Sequence, residues 1–272
     1  MNGIDLEQGG AVFSTVEVER WRGGARTRAA DQVAEETPVA LEYNGISHVV
    51  MMASPADLED FALGFSLTEG ILDHAGQLYD CEVESAGEGV RVALTVASEC
   101  FERLKAQRRN LTGRTGCGLC GAETLQQAVR RPPPARARAA FGVQAVQAGM
   151  RRMAEMQSLQ QSTGATHAAG WLPAQGEVEL VREDIGRHNA LDKLIGALAR
   201  RKADFGAGAM LVTSRASYEM ALKTATMGVG LLAAVSAPTA LAIRLAEESG
   251  LTLAGFARET GLAVYAHPQR LS

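Results

Sequence analysis

Two cysteines separated by two residues lie in a glycine-rich run near the middle of the chain. Cys117 and Cys120 stand within residues 112–121, which also hold four glycines. Such a backbone is pliable and leaves thiols accessible, and arginines nearby in the sequence favour the reactive thiolate. A structural zinc site, a redox disulfide and a sulfur carrier can each use a cysteine pair with this spacing. We expect one of these three roles.

On spacing alone, the zinc and redox roles are favoured over sulfur carriage. A structural zinc site needs four ligands, yet Cys81 and Cys100 form no second C-x-x-C pair. A thioredoxin-like disulfide normally has flanks less rich in glycine. A zinc deaminase needs His-x-Glu upstream of Pro-Cys-x-x-Cys. Here Gly116 precedes Cys117, and none of the five histidines is followed two residues later by glutamate, so that class is excluded.

A second polar cluster surrounds an expected helix start at residues 183–193. Its candidate binding residues are Arg187, His188, Asn189 and Lys193. The free N–H groups of a helix start, together with two cationic side chains, suit a phosphate or a carboxylate. An N-cap followed by a solvated face of salt bridges explains the same pattern equally well.

Residues 213–219 repeat this layout at the end of an apolar strand, where parallel sheets usually bind ligands. Ser214 and Arg215 are the candidate binding residues there. His167 stands alone among small residues and by default is a core or hydrogen-bonding residue. These three residues complete the polar candidates outside the cysteine loop.

The pattern of apolar residues indicates the elements that must position these side chains. Asn44-Gly45 lies between two alternating runs and predicts a hairpin with a type I′ turn over residues 39–52. Ser54-Pro55 then predicts the start of a helix that runs to about Leu67. A strand-like run at residues 12–18 has no identifiable partner. Further elements are expected as strands at 78–85 and 90–97 and a helix at 98–109.

Downstream of the three prolines at 132–134, short apolar strands alternate with helices, which is typical of βαβ units. The strands are expected at residues 178–182, 209–213, 231–236, 251–256 and 262–267. The helices are expected at residues 143–161, 188–201, 218–228 and 238–248. The predicted fold class is α/β, or α+β overall. We divide the chain into a polar N-terminal segment (1–37), an α+β domain with the cysteine loop (38–131), a linker (132–140) and an α/β domain (141–272).

Composition and charge exclude several classes of protein. The chain has 272 residues, 46% of them hydrophobic, enough for one large domain or two modest ones. Its formal charge is −4, although residues 101–138 carry nine Lys or Arg against two Asp or Glu. Such a protein is not expected to bind nucleic acid generally. We expect no signal peptide and no membrane span, and four cysteines without a secretory signal favour the reducing cytoplasm.

Together, these motifs resemble one family, the formate dehydrogenase accessory sulfurtransferases known as FdhD. The resemblance covers residues 38–271 and rests mainly on the loop Arg-Thr-Gly-Cys-Gly-Leu-Cys-Gly and the run Glu-Asp-Ile-Gly-Arg-His-Asn-Ala. It is also carried by His167 and by residues 44–45, 61–70, 213–220, 236–239 and 265–268. The two main motifs together are far more specific than either alone. The resemblance therefore favours sulfur carriage over the zinc and redox roles.

The resemblance implies a sulfurtransferase that takes persulfide sulfur from a cysteine desulfurase. The acceptor would be the bis-molybdopterin guanine dinucleotide form of the molybdenum cofactor, before that cofactor enters formate dehydrogenase. Cys117 matches the persulfide-bearing cysteine, and for Cys120 we hypothesise a supporting or alternate carrier role. The molybdenum cofactor would be a bound substrate, and no intrinsic metal is expected.

The family's cofactor-binding segment matches six consecutive residues near the C-terminus, namely Phe256, Ala257, Arg258, Glu259, Thr260 and Gly261. Within it, Arg258 offers a guanidinium to a phosphate or to guanine. The other residues expected to hold the cofactor are Arg187, His188, Asn189, Lys193, Ser214, Arg215 and His167.

The resemblance also implies a homodimer whose C-terminal part is similar to the cytidine deaminases, with a mixed sheet and flanking helices but without the deaminase zinc set. The N-terminal part would be smaller and β-rich. Two alternatives from other classes stay open. One is a chaperone that binds the cofactor without carrying sulfur, and the other is a structural zinc module.

Overall fold

The computed structural model describes residues 10–111, 132, 134, 138–174 and 176–272. Cys117, Cys120 and most of the predicted linker lie outside these residues. The strands are β1 (Phe13–Arg22), β2 (Ala25–Ala34), β3 (Thr37–Tyr43), β4 (Ile46–Ala53), β5 (Leu78–Ala86), β6 (Gly89–Val96), β7 (His167–Pro173), β8 (Leu180–Asp184), β9 (Gly208–Val212), β10 (Leu231–Ala234), β11 (Thr252–Arg258) and β12 (Gly261–Ala266). The α-helices within these ranges are α1 (Leu58–Thr68), α2 (Ser98–Leu111), α3 (Val143–Glu155), α4 (Ser158–Thr163), α5 (Arg187–Arg200), α6 (Tyr218–Thr226) and α7 (Ala240–Ser249).

The N-terminal half forms a four-stranded sheet in the order β4-β3-β6-β5. β3 pairs with β4 in antiparallel and with β6 in parallel orientation. Asn44 and Gly45 close the β3–β4 hairpin with φ values of 45° and 81°. A type I′ turn requires positive φ at both central residues, so the predicted hairpin is confirmed. Alternate side chains of β3 are buried against α1.

A long hairpin precedes this sheet. β1 and β2 pair over ten residues in antiparallel register, and neither strand contains a buried residue. The sequence predicts only the first part of β1. Its partner β2 goes unrecognised because its residues are mainly Ala, Arg, Asp and Gln, which are not typical of strands.

The C-terminal half forms a six-stranded mixed sheet in the order β12-β11-β10-β9-β7-β8. β9, β10 and β11 run parallel and are connected by α6 and α7, as βαβ units require. β7, β8 and β12 run antiparallel to their neighbours. The predicted α/β fold class is confirmed, with its mixed C-terminal sheet, flanking helices and smaller β-rich N-terminal part.

β7 is an element that the sequence does not predict. Its first four residues, His-Ala-Ala-Gly, lack the β-branched side chains that mark strands. Residues 168–172 are nevertheless buried, and the strand lies between β8 and β9 in the sheet. Gly208 of β9 makes room for Trp171, because a Cβ at that position would collide with the indole ring.

Two helices differ from their predicted bounds. α1 begins three residues after Pro55, with Asp57 and not Ser54 as its N-cap. The Ser54 hydroxyl, the group that would cap a helix, accepts instead from the Ile185 N–H over 3.2 Å. The helix predicted at 143–161 is divided into α3 and α4 at Gln157, whose backbone leaves the helical region with φ −82° and ψ 77°.

The core is continuous from one sheet to the other. On one face of the C-terminal sheet, α5, α6 and α7 pack in the same buried cluster as α1 and the N-terminal sheet. The opposite face is covered by α3. α1 and α5 cross with their backbones in close approach, and Gly64 and Gly196 face the other helix at the crossing. The division into two domains at residues 132–140 stays a prediction.

Candidate functional site

Most of the predicted binding residues come together at one edge of the C-terminal sheet. β7 is antiparallel to β8 and β9, so its first residue, His167, is paired with Asp184 at the end of β8 and lies near the end of β9. The parallel strands β9, β10 and β11 end at the same edge. Open α/β sheets bind ligands at the carboxyl ends of their parallel strands. This edge is therefore the candidate site.

Two helices begin at this edge. Arg187 and His188 are the first two residues of α5, and Ser217 is the N-cap of α6. His188 Nε2 lies 2.9 Å from a carboxylate oxygen of Glu219, in the first turn of α6, so the two helix starts are in contact. The N-cap of α5 is Gly186, which has no side chain, and the Ser217 side chain makes no capping hydrogen bond to α6. Helix starts attract anions because their N–H groups and dipoles point outward.

Three buried side-chain atoms at this edge make no well-oriented hydrogen bond within the part of the chain that the structure describes. They are Arg187 Nε, Ser217 Oγ and His188 Nε2, the last of which lies 2.9 Å from the Glu219 carboxylate. Buried polar groups are almost always hydrogen-bonded in folded proteins, so these atoms fit a polar ligand better than a packing role. Nearby, Arg215 is exposed, whereas Ser214 is buried and its hydroxyl donates to the Arg215 carbonyl over 3.0 Å.

The two histidines of the site carry shifted pKa values. Burial lowers the pKa of His167, and the charge of Arg187 lowers it further. Burial also lowers the pKa of His188; Glu219 opposes this effect, while Arg187 and Lys223 add to it. Both imidazoles are therefore neutral at pH 7, and each ring can donate one hydrogen bond and accept another. Thr213 Oγ1 already lies 3.4 Å from His167 Nδ1.

Asn189 and Lys193 are buried and bound to other protein groups, so a direct contact of these two side chains with the cofactor stays a prediction. Lys193 Nζ lies 2.7 Å from the Asp184 carboxylate and donates to the Ser54 carbonyl over 3.0 Å. Asn189 Nδ2 donates to Asp184 over 3.0 Å and to the Met52 carbonyl over 2.8 Å. These side chains tie the start of α5 to the end of β4, and so they position Arg187 and His188 indirectly.

A second buried network beneath the site is absent from the sequence predictions. Lys223 of α6 donates to Asp192 of α5 over 2.9 Å, to Glu69 over 3.0 Å and to the Thr68 hydroxyl over 2.9 Å. The sequence indicates this network only weakly, through a single lysine among the mostly apolar residues of the buried part of α6. The network joins α1, α5 and α6 below the two helix starts.

The segment 256–261 lies along the same edge, two strands away from the end of β9. Backbone hydrogen bonds connect the two places: Ser236 donates to the Ser214 carbonyl over 3.4 Å, and Phe256 donates to the Ser236 carbonyl over 3.3 Å. Phe256 is 49% exposed and has a φ of 50°. Positive φ is strained for a bulky residue, and a β-bulge in the β11–β12 pairing accompanies it here.

The other residues of this segment differ in accessibility. Arg258, Glu259 and Thr260 are exposed, Gly261 is half-buried and Ala257 is fully buried. Glu259 is paired with Arg151 of α3 over 2.9 Å. Phe256 and Arg258 are therefore the side chains best placed to contact a ligand. An aromatic ring and a guanidinium both stack well on a planar base.

The two described cysteines are unsuited to sulfur transfer. Burial raises the pKa of Cys81 to about 12, and Glu59 adds to this effect. Cys100 is fully buried, and burial raises its pKa as well. Both thiols stay protonated at neutral pH, and a thiol is a far weaker nucleophile than a thiolate. Cys117 and Cys120 remain the carrier candidates, although both lie outside the described residues.

Neither a metal cluster nor a membrane helix is found in the described ranges. Three or more His, Cys, Asp or Glu side chains are nowhere grouped there to hold a metal ion. No helix in those ranges combines the length and the apolar character needed to cross a bilayer. A zinc site formed by Cys117 and Cys120 would lie beyond them, so that alternative stays open.

Comparison with known proteins gives consistent matches along the chain. The sequence model described as the FdhD/NarQ family matches residues 34–272. A relative from Cupriavidus necator named sulfur carrier protein FdhD is 62% identical over 258 residues, covering 95% of this chain and 90% of the relative. A protein of the same name from Bordetella petrii is 56% identical, covering 93% and 92% of the two chains. A crystal structure from Desulfotalea psychrophila, described as that of a formate dehydrogenase accessory protein, has the same fold, with a TM-score of 0.75 at 24% identity over 96% of this chain and 100% of that one.

Proposed function

The chain belongs to the FdhD/NarQ family, and from this membership we propose that it carries sulfur for the maturation of formate dehydrogenase. The observation that supports the proposal most directly is the 62% identity, over 95% of the chain, to a protein named sulfur carrier. The sulfur donor is a cysteine desulfurase and the acceptor is the bis-molybdopterin guanine dinucleotide form of the molybdenum cofactor. The protein acts in the cytoplasm as a homodimer.

The first chemical step loads sulfur onto Cys117. The Cys117 thiolate attacks the terminal sulfur of the persulfide on the desulfurase. The S–S bond of that persulfide breaks, the desulfurase cysteine leaves as a thiolate, and Cys117 holds the terminal sulfur as a new persulfide. The step needs no external oxidant or reductant, because one S–S bond replaces another.

The second step releases the sulfur as sulfide and requires two electrons. Cys120 supplies them when its thiolate attacks the Cys117 sulfur: hydrosulfide leaves, and a Cys117–Cys120 disulfide remains for reduction by a cellular thiol. The spacing of the two cysteines allows such a disulfide. A small thiol can replace Cys120 in this step, which makes Cys120 supporting rather than essential.

The acceptor binds along the edge where β9, β10 and β11 end. Phe256 and Arg258 offer a stacking surface for a guanine base, while Arg187, His167 and His188 line the other end of that edge. The partnerless Arg187 Nε and Ser217 Oγ make this end suitable for a charged part of the cofactor. The cofactor brings the molybdenum centre that receives the sulfur, and this chain's residues bind and orient it.

Mass spectrometry tests the loading step. After incubation with a cysteine desulfurase and cysteine, the native protein should gain sulfur on Cys117, and Cys117→Ala should gain none. Cys120→Ala should load normally and release sulfide more slowly, while Cys81→Ala serves as a control that loads and releases like the native protein. If the native protein takes up no sulfur yet still binds the cofactor, the chaperone alternative is correct. Stoichiometric zinc held by Cys117 and Cys120 would support the structural zinc alternative.

A further inference from the structure

We propose that the β1–β2 hairpin is an arm that docks on a second copy of this chain, with its basic tip lying on an acidic ridge formed by β5 and β6. The tip consists of residues 20–28, and the ridge consists of residues 78–91. The inference rests on the proposed function in one respect, because it names the surfaces through which the proposed homodimer forms. Neither surface belongs to the sheet edge at which the cofactor is proposed to bind.

The arm extends into solvent from a base that is attached to the protein. At the base, the Glu35 N–H donates to the Val12 carbonyl over 2.9 Å. The two strands pair over ten residues, so the arm is about 30 Å long at the usual rise of a strand. Every residue from Glu19 to Arg28 is exposed. An isolated two-stranded hairpin is marginally stable in water, so contact with another surface would stabilise the outer half of the arm.

The tip is strongly basic although the whole chain is acidic. Residues 20–28 contain four arginines and neither Asp nor Glu, whereas the whole chain has a formal charge of −4. Arg20 and Arg26 are paired with carboxylates of the arm itself. Arg22 and Arg28 are exposed and form no ion pair within the described residues. These two guanidinium groups are therefore available to carboxylates on another molecule.

The ridge has the opposite charge. Residues 78–91 contain four Asp or Glu and one Arg. β5 is at the outer edge of its sheet, so the ridge is open to another molecule. Glu84 is paired with Arg91, whereas Glu82 and Glu88 are exposed and form no ion pair in the part of the chain that the structure describes. The free charges of the ridge thus complement those of the tip.

Each surface also carries one exposed aromatic residue. Trp21 of the tip is 66% exposed, and the Arg26 guanidinium lies 5.9 Å from the centre of its ring. Tyr79 of the ridge is 68% exposed, at an irregularity in the pairing of β5 with β6. Trp, Tyr and Arg are the residues that most often dominate the binding energy of protein interfaces. The composition of both surfaces is therefore typical of a protein–protein contact.

A second copy is the partner for which both complementary surfaces are present on the same chain. In a dimer with two-fold symmetry, the tip of each copy lies on the ridge of the other, so one association forms the contact twice. Tip and ridge together supply each copy with about the 20–30 residues of a standard interface. The negative charge of the whole chain disfavours nucleic acid as the partner of the tip.

Sedimentation velocity on the full chain tests the arm by exchanging its charges with those of the ridge. The double variants Arg22→Glu/Arg28→Glu and Glu82→Arg/Glu88→Arg should each raise the dissociation constant of the dimer about tenfold or more, because like charges then face each other. The variant that combines all four substitutions should dimerise nearly as well as the native protein, because opposite charges face each other again. Added salt should weaken the native dimer, since it screens exposed charges.

Two exposed residues outside both surfaces supply the controls. Arg201→Glu and Glu179→Arg make charge reversals of the same kind and should leave the dissociation constant unchanged. Circular dichroism verifies that each variant is folded. Native dimerisation in both double variants would overturn the arm, and so would a combined variant that dimerises no better than they do.

Two further measurements separate this proposal from other roles of the arm and from sulfur carriage. Vesicles of phosphatidylglycerol probe an anionic membrane: binding that is lost in Arg22→Glu/Arg28→Glu, with the dimer unchanged, would assign the tip to a membrane and overturn the proposal. Sulfur loading of Cys117 is measured on the same proteins. A dimer that persists in all variants, with normal loading, overturns the arm and leaves the sulfur carrier intact. Absent loading in a native protein whose dimer responds to the charge exchange rejects the sulfur carrier and supports the arm.

Discussion

The ammonium group of Lys193 lies 2.7 Å from the Asp184 carboxylate, and both side chains are fully inaccessible to solvent. This pair connects the end of β8 to α5, and the Ser54 carbonyl, which accepts from Lys193 over 3.0 Å, extends the connection to the N-terminal half. The site residues Arg187 and His188 follow Asp184 closely in the chain. Their orientation therefore depends on an ion pair that they do not themselves touch.

Removing one member of this pair should destabilise the protein unequally. Asp184→Asn removes the negative charge that compensates the buried Lys193 ammonium and leaves it only neutral acceptors, the Ser54 carbonyl and one amide oxygen. Lys193→Met leaves the Asp184 carboxylate with hydrogen bonds from Ser54, Gly186 and Asn189. We expect Asp184→Asn to lower the free energy of unfolding by about 3–5 kcal/mol and Lys193→Met by less.

Urea unfolding measures both losses, and Lys202→Met, on an exposed lysine, is the control. The double variant should lose less than the sum of the single losses, because the two residues are coupled. Equal losses of unfolding free energy in the two single variants would contradict the idea that Asp184 keeps better hydrogen-bond partners than Lys193 when the other residue is replaced.

The second prediction concerns the two glycines at the crossing of α1 and α5. A Cβ on Gly64 would collide with the Asp192 carbonyl oxygen, and a Cβ on Gly196 would collide with the Asp60 carbonyl oxygen. Because both obstacles are backbone atoms, Gly64→Ala and Gly196→Ala should each cost about 3 kcal/mol or more of unfolding free energy. Once one variant has moved the helices apart, the second should cost less.

Thermal unfolding of the two glycine variants and of their combination tests this geometry. Gly142→Ala is the control, since a Cβ there would meet its nearest atoms at 3.8 Å or more. Additive losses in the double variant would show that the two glycines do not share one helix crossing.

The sequence alone predicts features that depend on neighbouring residues. It does not predict features that depend on contacts with residues far away in the chain. The Asn44-Gly45 hairpin and the parallel strands β9 to β11 follow from turn chemistry and from short apolar runs. β7 is a strand because it pairs with β8 on one side and β9 on the other. Its small residues alone do not predict a strand. Lys193 looks like a ligand for phosphate in the sequence, yet Ser54, 139 residues away, turns it inward. The grouping of His167 with Arg187 depends on the same unpredicted strand.

A third prediction concerns pH. Burial and Arg187 lower the pKa of His167 below its ordinary value of 6.5. In the unfolded chain this imidazole binds a proton more readily than in the folded protein, so protonation favours unfolding. Its contribution to stability is complete above about pH 6.5 and is lost as the pH falls below that value.

His167→Gln should therefore weaken the fall of the unfolding midpoint between pH 7 and pH 5. Scanning calorimetry at several pH values compares this variant with the native protein and with His74→Gln, which replaces an exposed histidine. An unchanged slope in His167→Gln would mean that His167 does not titrate in this window.

The last prediction concerns Phe256, whose backbone conformation favours glycine although the residue carries a large aromatic ring. The φ of 50° disfavours any residue with a Cβ, yet the ring is 49% exposed and so gains little from burial. Strain at an exposed aromatic residue is explained if the ring serves a ligand. Phe256→Gly should then raise the free energy of unfolding by about 1 kcal/mol relative to Phe256→Ala, since glycine adopts positive φ without penalty. Both variants should bind GDP about tenfold more weakly than the native protein if the base stacks on the ring.

Urea unfolding measures the change in stability of the Phe256 variants, and calorimetry measures their affinity for GDP. A glycine variant less stable than the alanine variant would reject the strain, and native GDP affinity in both variants would reject the ring as a ligand contact.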